Sequence, residues 1–169
     1  MSEATQNRWR GTRHLGLIFF VAAVAAVAAA ITVAVSLKVW AMFIGWTCFG
    51  TAMGNSKRGV LAIICLLIGI LLGMFAIVAL PILEAKMGVM TLPLVVFLLV
   101  VIVMLAQAMS PFDSVPGYFL GMTAIFASGS SPSIAAFVEL GGAAVIGAVA
   151  GWLLIVLPGY APSRTRDLS

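Results

Sequence analysis

The sequence predicts an all-α integral membrane protein of six transmembrane helices, built as two inverted three-helix repeats whose second and fifth spans are short. Three observations carry that prediction. The chain is 63% apolar and 8% charged over 169 residues, with a mean hydropathy of +1.23, more greasy surface than one water-soluble core can hide. Its apolar residues fall into segments of bilayer length separated by short polar turns. A distinctive stretch, Phe43-Ile44-Gly45-Trp46-Thr47, returns in the second half of the chain as Phe119-Leu120-Gly121-Met122-Thr123.

The elements follow in order. Leu15 to Leu37 is a continuous apolar run behind a basic tail, residues 1–14. A signal peptide carries only about 7 to 15 apolar residues and a bilayer core needs about 20; this run exceeds both, so it is expected to stay in place as a first span. Val39 to Gly54 would make about 24 Å of α-helix, short for a crossing. Gly59 to Leu80 and Val89 to Met109 are full-length spans, and Val115 to Ser130 is again as short as the second segment. Ser131 and Pro132 have the character of a cap and first turn for a last span, Ser133 to Leu157. The first repeat is thus 15–80, the second 89–157, and 158–169 is a second tail.

Basic residues choose between counting and not counting the short segments. If both cross, Arg8, Arg10, Arg13, Lys57, Arg58, Arg164 and Arg166 share one side and only Lys38 and Lys86 the other, seven against two. If neither crosses, the division weakens to six against three. The positive-inside rule therefore favours six spans with both termini cytoplasmic.

A repeat with three crossings per copy must traverse the membrane in opposite senses, and short glycine-interrupted spans at matching places in two such halves point to a solute path at their interface. Phe43, Gly45, Trp46 and Thr47 with Phe119, Gly121 and Thr123 are the expected lining of that path. The competing reading is that the glycines serve helix packing and the threonine hydroxyls bond back to their own helices. Small residues at four-residue spacing recur as Ala22, Ala26, Ala30 and Ala34, as Gly69 and Gly73, and as Ala143, Gly147 and Gly151, patterns that let helix backbones approach.

Glu139 is the one acid well inside a span, an expected proton site if it is buried, or a hydrated acid near the outer interface. Cys48 and Cys65 lie inside apolar runs and read as packing residues. One histidine, two cysteines and five acids assemble into no metal cluster, activated nucleophile or phosphate loop, so neither an enzyme, a cofactor nor a metal is expected. A surplus of arginine and lysine placed by membrane topology does not imply nucleic acid.

The stretches "VPGYFLGMTAIFASG" and "WAMFIGWTCFGTAMG" resemble the YcdZ-like family of small bacterial inner-membrane proteins of unknown function. Val115, Pro116, Gly117, Phe119, Leu120, Gly121, Phe126 and Ala127 carry the resemblance, which runs from about Trp40 to Trp152. It implies a bacterial inner-membrane location and supplies no substrate.

The expected activity is that of a small homo-oligomeric channel or facilitator, embedded in the lipid bilayer, for a small neutral or weakly acidic solute. Few fixed charges at mid-depth suit such a solute better than a bare ion. The alternatives are a proton-coupled transporter using Glu139 and a non-conducting structural subunit.

Overall fold

The computed structural model describes residues 3–52 and 54–156, with side chains described from Leu15 onward. All regular structure among them is helical: α1 (Glu3–Ala34), α2 (Val39–Gly50), α3 (Ser56–Met87), a 3-10 turn (Gly88–Met90), α4 (Thr91–Gln107), α5 (Val115–Ser128) and α6 (Ile134–Val156). Three helical stretches, Leu15–Ala34, Ser56–Gln107 and Ile134–Val156, are long and apolar enough to cross a bilayer, while α2 and α5 are apolar but shorter. The chain is a membrane protein: a bilayer leaves backbone groups no water to bond, and helices satisfy them internally.

Local chemistry sets the boundaries. α1 closes in a Schellman arrangement, Leu37 N–H donating to the Thr32 carbonyl at 2.9 Å and Ser36 N–H to that of Val33 at 2.9 Å. Ser36 takes the left-handed conformation (φ 58°) that glycine usually provides. α2 stops before its apolar run does, because Thr51 turns its hydroxyl back to the Cys48 carbonyl at 2.7 Å and Gly54 (φ 84°) redirects the chain. Asn55 then caps α3 by accepting the Arg58 N–H at 3.2 Å.

Several boundaries differ from those expected. The residues assigned to a separate basic tail continue the α1 helix back to Glu3. α3 runs past Leu80 and through Pro81 to Met87. A proline inside a helix forfeits one backbone bond, and an apolar surrounding offers the remaining groups no better partner than the helix itself. α5 ends at Gly129 (φ 61°), and the cap of α6 is Ser133, whose hydroxyl accepts the Ala136 N–H at 3.1 Å, rather than Ser131.

Packing ties each short helix to a long helix of the other half. α2 lies along α6 and runs in the same direction: Lys38 reaches Glu139, Gly45 and Met42 face Ala144 and Gly147, and Phe49 faces Gly151. It therefore accompanies α6 from its second turn to about a turn and a half short of its end. α5 lies along α3 in the same way, Gly117 against Ala62, Gly121 against Leu66 and Ile70, and Gly73 against Met122 and Ile125. The last turn of α2 meets the first turn of α3, where the Phe49 ring covers Gly59. Met42, Leu66, Ile70, Ile125 and Leu140 fill the centre and are fully buried.

The outer helices differ. α4 buries a ridge of Thr91, Val95, Leu99 and Val103 against the bundle, whereas the side chains buried along α1 are Ala28 and Thr32.

Candidate functional site

The two crossings at the centre are constructed alike. A methyl group on Gly45 would overlap the backbone of Ala144, and one on Gly147 would overlap the Met42 carbonyl. In the other crossing a methyl on Gly121 would overlap the Leu66 carbonyl, and one on Gly69 that of Tyr118. Each glycine thus faces the residue three positions before its partner glycine. A third contact repeats as well: Gly151 sits against Phe49 and Trp46, and Gly73 against Ile125 and Met122. Gly45 of one short helix therefore corresponds to Gly121 of the other, and Gly69 of one long helix to Gly147 of the other. Approach of this closeness brings Cα–H groups to carbonyl oxygens and dispersion contacts along the whole crossing, the forces that hold helices together where lipid offers no hydrophobic drive.

That packing dictates where the threonines go. Successive residues of an α-helix are about 100° apart, so Thr47 stands about 200° from Gly45, and Thr123 the same from Gly121. With the glycines pressed against neighbouring backbones, both threonines face out of the bundle. Phe43 and Phe119, one turn earlier, share those faces and are also exposed. Within one chain the two threonines do not share a cavity. Thr47 borders an open groove of about 620 Å³ between α1 and α2, with Leu17, Ile18, Val21, Ala22, Ala25, Phe43 and the half-buried Trp46. A second open groove, about 440 Å³, lies on the other side of α1, against Val145, Ile146, Val149, Ala150 and Leu153 of α6.

Glu139 has a partner that sequence reasoning missed. Its carboxylate lies 3.7 Å from the Lys38 ammonium, each side chain 31% exposed, and Lys38 also donates to the Ser130 hydroxyl at 3.3 Å. The cluster joins the start of α2 to the α5–α6 turn. The signal was available, since six spans put Lys38 and Glu139 on one side of the membrane. Starting α6 at Ile134 also brings Glu139 closer to the helix end than a start at Pro132 would.

Other polar groups inside the bundle donate to backbone carbonyls. Cys48 and Cys65 are buried free thiols, and Cys48 donates to the Ala62 carbonyl at 3.3 Å. Thr32 donates to the Ala28 carbonyl at 2.7 Å and Tyr118 to that of Phe112 at 3.2 Å. Among the described residues the Thr91 hydroxyl, at the start of α4, is buried without a partner. Among the same residues no three His, Cys, Asp or Glu side chains gather where they could hold a metal ion. His14 and the arginines of the two tails lie outside the residues whose side chains are described.

What this arrangement offers is two tightly joined crossings and two outward stripes of Phe and Thr, presented once by each half. No curated protein and no solved structure matches the chain. A family model described as "Protein of unknown function (DUF1097)" matches residues 19–157, a stretch that takes in the second half of α1 and every later helix, and the chain belongs to that family.

Proposed function

We propose that the protein is a small homo-oligomeric channel or facilitator for a small neutral or weakly acidic solute, with the path lined by the Phe43/Thr47 and Phe119/Thr123 stripes where chains meet. The observation that carries this reading is the repetition of an exposed hydroxyl-bearing stripe at equivalent positions of both halves, beside glycine faces that are themselves taken up in packing. A hydroxyl facing pure hydrocarbon forfeits its hydrogen bonds unless it turns back to its own helix. Among the described residues Thr47 and Thr123 form no such bond, in contrast to Thr32, Thr51 and Ser128. A solute or a neighbouring chain satisfies them. The outward placement of Thr47 and Thr123 on separate helices argues for a path between chains.

The same reading takes six crossings in two inverted halves. Its support is that α2 travels beside α6 from Glu139 to Gly151 and α5 beside α3 from Ala62 to Gly73, each in the direction of its partner, so each short helix carries the chain along the bundle. The end that holds the α2–α3 turn, with Lys57 and Arg58, is then cytoplasmic, and the end with Lys38 and Lys86 is outside. The bacterial inner membrane and the YcdZ-like resemblance belong to this reading too. Pairing of Glu139 with Lys38, at one end of the bundle and a third exposed, weighs against Glu139 as a coupled proton carrier.

Proteoliposome flux tests the activity. Passage of small neutral solutes that ignores a proton gradient is expected. Passage that requires the gradient would replace the channel by a coupled transporter, and no passage, with stable association to a larger complex, by a structural subunit. Cytoplasmic labelling of Lys86 in intact cells would end the six-crossing topology.

A further inference from the structure

The two short helices share their backbone contacts but not every side chain. Trp46 and Met122 hold equivalent places, one step after Gly45 and Gly121, and each sets its backbone against a glycine of a long helix, Gly151 or Gly73. Met122 is buried. Trp46 is half-buried and lines the groove of about 620 Å³ between α1 and α2, beside Phe43 and Thr47. A methionine meets the packing that both halves share, so the indole N–H is an addition made by one half.

That groove holds two donors with nothing to donate to. Its α1 wall is apolar, with Val21, Ala22 and Ala25 among its side chains. Among the described residues hydrogen bonds are donated by Lys38, Cys48 and Thr51 on either side of the pair, and by neither the Trp46 indole nor the Thr47 hydroxyl. The indole N–H is not shut away as the orphaned Thr91 hydroxyl is, so a ligand can reach it. Depth then narrows the ligand. The Trp46 backbone lies against Gly147, near the middle of α6, and Val21 and Ala25 lie near the middle of the apolar stretch Leu15–Ala34. Phospholipid esters sit at the edge of a hydrocarbon layer about 30 Å thick, about 15 Å from that level. Water settles where about two to four polar groups surround it, and this groove opens on hydrocarbon. The missing acceptor must belong to a molecule that dissolves in the bilayer interior.

We propose that the α1–α2 groove binds a lipid-soluble isoprenoid quinone, one ring carbonyl accepting from both the Trp46 N–H and the Thr47 hydroxyl. A carbonyl oxygen has two lone pairs and can take both donors. The flat ring matches the aromatic faces of Phe43 and Trp46, and the apolar tail suits the α1 wall. Ring and tail together dissolve in hydrocarbon, which is what brings a carbonyl to mid-depth. A groove of about 620 Å³ falls within the range of small-molecule sites, about 300–1,000 Å³. The site goes beyond the reading above and shares Thr47 with it: a ring seated there and a solute passing the Phe43/Thr47 stripe exclude each other.

The test is equilibrium binding of a short-tailed ubiquinone to the full chain in detergent micelles, against an isoprenoid hydrocarbon of similar length that lacks the carbonyl. Saturable binding of the quinone and none of the hydrocarbon is expected. Thr47→Val and Trp46→Phe should each weaken binding about fivefold, the loss of one ordinary hydrogen bond, and Thr47→Ser, which keeps the hydroxyl, should bind like the parent. Thr47 is exposed, so its two variants report on the site even where Trp46→Phe disturbs packing. Absence of saturable quinone binding overturns the inference, because lipid chains or a second copy then fill the groove. Equal affinity in the parent, Thr47→Val and Trp46→Phe overturns it as well, since apolar contact alone would then hold the ring. Binding is read without flux: a chain that binds quinone and passes no solute sinks the channel and leaves this site standing, and a chain that conducts without binding quinone does the reverse.

Discussion

The crossing of α2 on α6 and the crossing of α5 on α3 share their contacts position by position, yet the helices flanking them do not match. Gly45, Gly147, Gly121 and Gly69 each meet first the carbonyl oxygen of the residue three before the partner glycine, while α1 buries Ala28 and Thr32 and α4 buries Thr91, Val95, Leu99 and Val103. The lesson is physical. Where two backbones touch, any side chain beyond hydrogen is excluded, so both copies of the contact hold the same residue. Where a helix faces outward, side chains are restrained only by what covers them, so α1 and α4 are free to differ.

The sharpest way to break that comparison is to put a methyl into each crossing. Gly45→Ala, Gly147→Ala, Gly69→Ala and Gly121→Ala each drive a Cβ into backbone carbonyl atoms of the facing helix, and backbone cannot rotate aside as a side chain can. Each is expected to cost about 3 kcal/mol of stability, with the two crossings alike, measured by reversible unfolding in mixed detergent. Gly151→Ala is the control. Its Cβ would meet the Phe49 ring at an ordinary 3.4 Å, and a loss of less than about 1 kcal/mol is expected. A large cost at Gly45 with none at Gly121 would mean that the matching contacts do not share their energetics.

A smaller effect, on activity alone, is expected at the outward stripes. Thr47→Val and Thr123→Val preserve shape and remove a hydroxyl that forms no hydrogen bond among the described residues. Assembly and stability should hold, and solute flux should fall about fivefold in each, the worth of one hydrogen bond of about 1 kcal/mol. Unchanged flux in both variants, on an assay that detects the parent, would return the threonines to the role of packing groups.

Much of the architecture is legible in the sequence. Apolar length marks each helix, and Phe43, Gly45 and Thr47 against Phe119, Gly121 and Thr123 mark the repeat. The faces of the short helices are legible too, though only by noticing that residues two apart lie on opposite sides of a helix, so that Gly45 and Thr47 cannot both line one path. What the sequence hides is that each short helix packs on the long helix of the other half. Gly147 lies far along the chain from Gly45, and a glycine signals close approach without saying to what. The step from Gly69 to Gly147 is also two positions longer than the step from Gly45 to Gly121, which breaks the register of any single alignment. Side-chain pairing across turns, such as Lys38 with Glu139, needs the bundle ends in place before it can be seen.

The smallest expected effect sharpens the comparison from the opposite direction, through a feature that only one half possesses. Lys38 and Glu139 pair at 3.7 Å. In the other crossing, Ser114 stands at the position equivalent to Lys38 and Leu61 at the position equivalent to Glu139, in the registers that the glycine contacts define. If the repeated architecture is held by glycine contacts, a pair found once is an addition to it and should matter little to stability. Both side chains are 31% exposed, so each is partly solvated when apart, and the cost of ordering two long side chains offsets most of the attraction. A double-mutant cycle of Lys38→Met and Glu139→Gln is therefore expected to give a coupling of about 0.5 kcal/mol, shrinking further at high salt. Coupling several times larger would make the pair a clamp on that end of the bundle. Glu139→Gln that keeps the fold and abolishes flux would go further, because a carboxylate dispensable for stability and required for passage is what coupled proton transport demands, and the channel reading would yield to it.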